Sequence, residues 1–481
     1  MKQEILSENV LPVSEFVMTI GGDRVSTSSK DFAINPATEE RICEFPMADR
    51  DHLERAVAAA QKAFPGWRDT RIEERQAAVS KLADVVEENM EAFIKLLTTE
   101  QGKPRAGAEW EIGGCIHWLR EIAKQSLPEE IVRDEAAGRV VTRYTPIGVI
   151  GCITPWNFPL LLAVWKIAPA LVAGNTVVLK PSPYTPLCTL WFGELAQKIL
   201  PPGVLNIISG GNELGQWMTE HPGIGKISFT GSTATGRKVM QSASINLKRL
   251  TLELGGNDPA IVLPDVDPKA VAKDLFWASF QNSAQFCVAT KRLYVHEDIY
   301  DDLVSALCEY AKSVVVDNGI LPGSDLGPLQ NKMQYEKVRD LLSDSESKGH
   351  NVLLGGKPVD RAGYFIPVTL IDNPPEDARC VVEEAFGPVL PILKYRDIED
   401  AIRRANNTEY GLAASVWSAD VERAREIAGK LEAGTVWINH IHAFSPDIAF
   451  GGHKQSGVGI ENSLHGLSEY CNMQTILETA S

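Results

Sequence analysis

The sequence predicts an open α/β fold: two doubly wound, parallel-sheet domains accompanied by a small β-arm. Three features of its patterning carry this. Short β-rich runs alternate with helical patterns in two series, the series meet at a Gly-Gly step near residue 254, and two strand-like segments stand apart with polar flanks. Strands alternating with helices form β-α-β units, which close into open parallel sheets whose ligands sit beyond the carboxyl ends of the strands. At 481 residues the chain exceeds what one core usually serves, and 44% hydrophobic residues suffice to fill more than one.

Taken in order, residues 51–99 and 106–125 read as amphipathic helices, because apolar residues recur every three or four positions in LERAVAAAQKAF and RQAAVSKLADVVEENMEAFIKLL. The period then changes. PIGVIGCITP, GNTVVLKPSP, GVLNIISGG and GKISFTGST are short β-rich runs ending in Gly, Pro, Ser or Thr, separated by helical patterns over 160–173, 186–200, 213–220 and 233–243. Four polar turns thereby fall on one rim. After LTLELGGNDPAIVLPDVD come the strands RLYVH, NVLLGG, FIPVTLI, PVLPILKY, LAASVWS and GTVWINH, with helices over 268–281, 298–314, 332–348, 397–406 and 420–432. VVTRYTPIG (140–148) and EYCNMQTIL (469–477) are expected to pair as an arm, whose open edges end in a subunit interface.

The formal net charge of -16, with no block of basic residues, repels phosphate backbones and anionic lipid, so neither nucleic acid nor a membrane is an expected partner. The apolar region 147–179 is interrupted by Trp156-Asn157, Lys166 and several Gly and Pro, which reads as buried helix and strand. The start MKQEILSENVLPV has acids where a secretory signal needs a basic end and an apolar run, so a cytoplasmic location is expected. Eight cysteines without a CxxC pair or regular spacing point to reduced thiols and to no metal site.

Four polar elements on the expected rim each admit two readings. FTGSTATG (229–236) opens a helix at Ser232, where free N–H groups either hold a phosphate or simply form a capped turn. In TPWNFP (154–159), Asn157 is either the N-cap of the next helix or an amide donor toward an oxygen that gains negative charge. Glu253, in the apolar strand of LTLELGGNDP, is either a paired edge carboxylate or a base whose pKa is raised by burial. Cys287, in ASFQNSAQFCVATKR, has no histidine within eight residues, so neither a metal site nor a Cys-His pair can be read locally. It is either core filler or a nucleophile.

The combination decides among them. Asn157, Lys180 in VLKPS, FTGSTATG, Glu253 in ELGG, Cys287 in NSAQFC, EEAFGP (383–388) and FGGHKQSG (450–457) resemble, in order and spacing, the motifs of the aldehyde dehydrogenase superfamily over essentially the whole chain. The resemblance implies an NAD(P)-dependent enzyme that oxidises an aldehyde to its acid. It gives Cys287 the role of nucleophile, Asn157 that of oxyanion donor with the Cys287 N–H, and Glu253 that of base for the hydrolytic water. It places Trp156 and Ser232 at the pyrophosphate, Lys180 at the adenosine ribose, and Glu384 with Phe386 at the nicotinamide ribose and ring. Ile153, Thr154, Ser182, Pro183, Phe229, Gly231, Leu254 and Gln334 complete the implied cofactor set. It further implies a dinucleotide-binding domain of residues 1–124 and 149–253, a catalytic domain of 254–465, and an arm of 125–148 and 466–481 that forms a homodimer or homotetramer.

Two positions depart from the family pattern. Pro183 in KPSP stands where many NAD-preferring members carry a carboxylate that grips the ribose hydroxyls, so NAD is the expected cofactor while Lys180 and Ser182 leave NADP open. Ala284 stands where the motif has Gly, at a site expected to need no positive φ. By matching to the family, Phe158, Leu162, Trp165, Phe286, Val288, Phe444 and Phe450 line the substrate channel. No Arg or Lys is among them, which disfavours charged substrates and favours a medium-length aliphatic or an aromatic aldehyde. His440 and His442 in INHIHAF either add polarity at the channel mouth or pack beside it. The competing readings are a coenzyme A-acylating enzyme, which has no need of Glu253, and a catalytically silent dinucleotide-binding protein.

Overall fold

A computed structural model describes residues 11–136 and 138–479. Its first sheet orders its strands Asp23–Val25, Met18–Ile20, Leu205–Ile207, Thr176–Lys180, Val149–Ile153, Lys226–Thr230, Arg249–Glu253 and Gly457–Val458. The five from Leu205–Ile207 to Arg249–Glu253 are parallel. Helices Pro159–Val172, Leu187–Ala196, Asn212–Glu220 and Thr233–Ala243 supply the crossovers. Chain order therefore reverses between Val149–Ile153 and Lys226–Thr230, which opens a crevice at their carboxyl ends.

The second sheet runs Asn351–Leu354, Thr369–Asp372, Val389–Tyr395, Thr290–His296, Asp258–Val262, Ala413–Trp417 and Thr435–Ile438. It is parallel except for its first edge strand. Both sheets are thus antiparallel only at their edges. Gly457–Val458 crosses from the later half of the chain to pair with Leu252 and Glu253, so the strand that carries Glu253 is interior to its sheet.

The arm is a third, antiparallel sheet: Cys471–Thr479 pairs with Gly138–Pro146 along its whole length, and Glu130–Glu135 covers the other side. The N-terminal hairpins, Met18–Ile20 with Asp23–Val25 and Lys30–Ile34 with Arg41–Pro46, are absent from the sequence expectation. Three-residue strands and polar, irregularly alternating ones leave too little period to read. Helices Arg50–Asp69, Ile72–Glu88, Met90–Gln101 and Arg105–Ile122 share one apolar core with the first sheet. Two further clusters cover the faces of the second. No helix among the described residues is long and apolar enough to cross a membrane.

Candidate active site

Every cofactor residue expected from the sequence lines one cleft of about 1450 Å³ at the chain-order reversal, and Asn157 and Cys287 line it too. Its floor is built by strand ends. Ile153 and Thr154 close the Val149–Ile153 strand, Lys180 ends the next, and Gly231 and Ser232 follow Lys226–Thr230. Ser232 caps helix Thr233–Ala243, its hydroxyl accepting from the Thr235 N–H at 3.3 Å, which leaves the positive end of that helix facing the cleft. Lys180 is buried with no carboxylate beside it; its Nζ donates to the Pro181 carbonyl at 3.2 Å, and burial lowers its pKa to about 8. The hydroxyls of Thr154 and Thr230 are buried and unpartnered. A helix N-terminus, an uncompensated ammonium and orphaned hydroxyls along one cleft fit a phosphorylated, hydroxyl-rich ligand.

At the far end, the Glu384 carboxylate accepts from the Gly256 N–H at 3.1 Å and stands 3.6 Å from Lys291 Nζ. Gly255 leaves room for it, since a Cβ there would meet Glu384 Oε2 at 2.5 Å. Gln334 Nε2 donates to the Ala385 and Phe386 carbonyls at 2.8 and 3.2 Å, and Phe386 meets Trp156 edge to face at 5.3 Å. Gln334 therefore holds the loop that carries Glu384 and Phe386.

Cys287 follows an unusual turn. Asn282, Ser283 and Ala284 all have left-handed backbone, with φ of 54°, 56° and 58°. The expectation that residue 284 needs no positive φ is therefore incorrect. A non-glycine residue there costs about 1–2 kcal/mol of local strain. The turn is held by Ser283 Oγ donating to the Gly327 carbonyl at 2.7 Å and by Gln285 Nε2 donating to the Asn282 and Pro328 carbonyls. Burial pushes the Cys287 thiol up to about 12; Lys291 pulls it down, while Asp258, Glu253 and Glu384 add to the rise.

Asn157 is not a helix cap. Phe158 occupies that position with Pro159 behind it, and Glu111 satisfies the first turn, accepting from the Leu160 and Leu161 N–H groups at 3.1 and 3.3 Å. The Asn157 amide instead donates to the Gln285 carbonyl at 3.1 Å, two residues from Cys287. The main-chain carbonyl of Asn157 accepts from Lys103 Nζ at 2.9 Å and from the Asn282 side-chain amide at 3.2 Å. Lys103 also pairs with Glu111 at 2.5 Å and lies 3.9 Å from the Phe158 ring centroid, all out of water. One buried ion pair thus holds both the Asn157 carbonyl and the first turn of the helix that follows.

Glu253 is fully enclosed, and neither carboxylate oxygen has a hydrogen-bond partner. Burial raises its pKa well above the usual carboxylate range; Glu461 adds to the rise and Lys166 opposes it. Glu461 and Lys166 form their own buried pair at 2.7 Å. The unpaired Glu253 carboxylate is close enough for its charge to bear on the Cys287 thiol.

The substrate residues expected from the sequence form an aromatic wall. Phe158 packs on Phe286 with centroids 4.7 Å apart, Phe286 on Phe444 at 6.0 Å, and Trp165 meets Phe444 and Phe450 at 6.1 and 5.8 Å. Leu162 is half-buried beside them, and Val288 is fully buried in the same core. The two loop histidines separate: His440 is exposed, whereas His442 packs 4.4 Å from Phe286 and shares a hydrogen bond of 2.9 Å with Gln281. Burial pushes His442 down to about 3, so it is neutral.

The aldehyde dehydrogenase family model matches residues 25–476. The chain belongs to the aldehyde dehydrogenase family. It is 41% identical over 460 residues to a putative aldehyde dehydrogenase, FUS7, of Gibberella fujikuroi, which covers 96% of this chain and 98% of the relative. Aldehyde dehydrogenase 1A1 of Gallus gallus is 41% identical over 468 residues, covering 94% and 91%. The NAD+ complex of an aldehyde dehydrogenase from Bacillus cereus superposes with a TM-score of 0.95 at 34% identity, covering 100% of this chain and 98% of that one.

This aldehyde dehydrogenase is accordingly an NAD(P)-dependent oxidoreductase that acts on aldehydes. Several of its site neighbours escape a sequence reading. Lys103, Glu111, Lys291 and Glu461 carry no local motif. Lys166 alone left a signal, as the one charge in an otherwise apolar helix, Pro159–Val172. A lysine there must be paired when buried.

Proposed function

We propose that this enzyme oxidises an apolar aldehyde, medium-length aliphatic or aromatic, to its carboxylic acid, with water rather than coenzyme A taking the acyl group from Cys287. The observation that carries the reading is Glu253, a buried carboxylate with both oxygens free beside the thiol. An acylating route has no use for such a base.

A flat carbonyl does not easily release hydride, so a nucleophile must first make it tetrahedral. Cys287 Sγ, its proton passed to solvent, bonds to the carbonyl carbon as the C=O π pair moves onto oxygen, giving a thiohemiacetal alkoxide. The Asn157 amide, with the Cys287 N–H, holds the oxygen that gains charge; such donors are typically worth about 100- to 1000-fold in rate. The nicotinamide dinucleotide, when bound, supplies the hydride acceptor. Cys287 is then left acylated. Glu253 takes a proton from water, the hydroxide adds to the thioester carbon, and the C–S bond breaks to return the thiol and release the acid. Phe158, Phe286, Trp165, Phe444 and Phe450 with neutral His442 offer the tail no charge partner, which supports an uncharged substrate. The test is absorbance of reduced dinucleotide across aldehydes of varied length and aromaticity, with and without coenzyme A. No reduction with either dinucleotide would leave only a binding role, and coenzyme A-dependent thioester as product would replace the hydrolytic reading.

We infer the division of labour expected from the sequence: residues 1–124 and 149–253 bind the dinucleotide, and 254–465 carry the nucleophile. NAD is the preferred cofactor and NADP is admitted, because Pro183 lines the cleft without charge and Lys180 beside it is unneutralised. Pro183→Glu is expected to cut NADP efficiency at least about tenfold and to spare NAD, since one carboxylate facing a phosphate costs more than ~1.4 kcal/mol. Equal NADP efficiencies for the two proteins would separate residue 183 from the ribose.

The arm exposes Ile131, Val132, Met473 and Leu477 on open strands. We infer a homodimer or homotetramer assembled through it. A light-scattering mass of 52.6 kDa, that of one chain, would remove this inference.

A further inference from the structure

Lys291 has no role in the mechanism above, yet it sits at its centre. It is the second residue of strand Thr290–His296, four residues after Cys287, and it is 4% exposed. Successive residues of a strand point to opposite sides. Arg292 accordingly turns away, donating to the Asn257 and Ala405 carbonyls at 2.9 and 2.8 Å. Lys291 turns toward the cleft. Its Nζ donates to the Cys287 carbonyl at 2.5 Å and to the Ala289 carbonyl at 3.4 Å, and faces Glu384 Oε1 at 3.6 Å. Withdrawing an ammonium from water costs several kcal/mol unless partners replace the hydration. Its partners here are the main chain of the nucleophile and the carboxylate that lines the cofactor cleft.

We propose that Lys291 is a positioning residue that couples the nucleophile to the cofactor cleft: one ammonium holds the Cys287 main chain and the Glu384 carboxylate together, and when Glu384 turns to ribose hydroxyls its counter-charge leaves Lys291 and the full positive charge acts on the thiol. The proposal rests on the reading of Cys287 as nucleophile and of Glu384 as a ribose ligand. The charges around the sulfur bear it out in sign. Among the described residues whose charge bears on the Cys287 thiol, Lys291 on its strand is the cation, while Asp258, Glu253 and Glu384 from three other segments are carboxylates. His442, packed on neighbouring Phe286, is held neutral by burial. Asp258, pushed up to about 7 by burial, is itself drawn down by Lys291. Thiolate formation in this pocket therefore depends on how far Glu384 neutralises one lysine.

The test is the rate at which iodoacetamide alkylates Cys287, followed by peptide mass over pH 6–10, with and without NAD. Wild-type protein is expected to alkylate faster when NAD is present. Lys291→Met is expected to slow alkylation at least tenfold at pH 8, to move its pH midpoint upward, and to lose the NAD-dependent gain. Lys291→Arg, which keeps the charge, is expected to recover most of both. Glu384→Gln, which removes the counter-charge without creating a buried cavity, is expected to speed alkylation without NAD and to abolish the further gain. Alkylation of Lys291→Met or of Glu384→Gln at the wild-type rate across the pH range would overturn the proposal, and the second variant decides if the first does not fold. NADH formation by fully alkylated wild-type protein would instead overturn the reading of Cys287, whatever the lysine does to the thiol.

Discussion

Replacing Cys287 with alanine is expected to lower NAD(P)H formation by about 10⁴-fold or more, the scale on which deletion of a covalent nucleophile acts, while dinucleotide affinity stays within about twofold. The argument is positional. Of the eight free cysteines, Cys287 lines the cleft; Cys115, Cys152, Cys188, Cys380 and Cys471 are buried elsewhere, and Cys43 and Cys308 lie on other elements. Lys291 is no ready replacement, since its Nζ donates to the Cys287 carbonyl. The residues proposed to hold the pyrophosphate and the adenosine ribose, Ser232 and Lys180, make hydrogen bonds that do not involve the sulfur. Binding and turnover should therefore part company: quenching of tryptophan fluorescence by NAD is retained while absorbance at the reduced-nicotinamide band stays flat. An alanine protein that still turns over at a tenth of the wild-type rate would show that the chemistry lies elsewhere.

The legible part of this molecule is the part written in local pattern. The alternation of β-rich runs with helical ones gave both sheets and most of their boundaries, because parallel strands are continuous apolar runs that end in turn residues. Asn157, Glu253 and Cys287 stand out in the sequence because each lies inside a recognisable motif. The supports behind them were not. Lys103 meets Asn157 across 54 residues of chain, Glu111 meets Leu160 across 49, and Glu461 meets Lys166 across 295. Such pairs exist only once the helices pack, and a lone Lys or Glu in a helical pattern reads as a solvated face. The left-handed turn at Asn282–Ala284 was hidden for a different reason: an alanine announces no positive φ, and tertiary hydrogen bonds from Ser283 and Gln285 impose it.

Glu253→Gln is expected to release about one equivalent of NAD(P)H per active chain and then to stall, with steady turnover lowered by about 10²- to 10⁴-fold, the usual contribution of a general base. In the proposed mechanism, attack by Cys287 and hydride loss use the sulfur and the Asn157 amide, so they are expected to survive; hydrolysis of the thioester is not. The substitution also tests the burial argument through stability. Glu253 has its pKa raised in the folded state by burial first and by Glu461 second, so the folded chain binds more protons than the unfolded one above the ordinary glutamate value of about 4.3. Wild-type stability contributed by this group is then full below that pH and declines as pH rises through the folded-state value. Glutamine carries no charge to desolvate and escapes the decline. Thermal melting should show the variant gaining on wild type as pH rises above about 4.3, the opposite of what loss of a structural ion pair produces. A variant that melts lower than wild type by a margin growing with pH would mean that Glu253 is paired, and an acylated Cys287 that still hydrolyses in that protein would take the base away from residue 253 altogether.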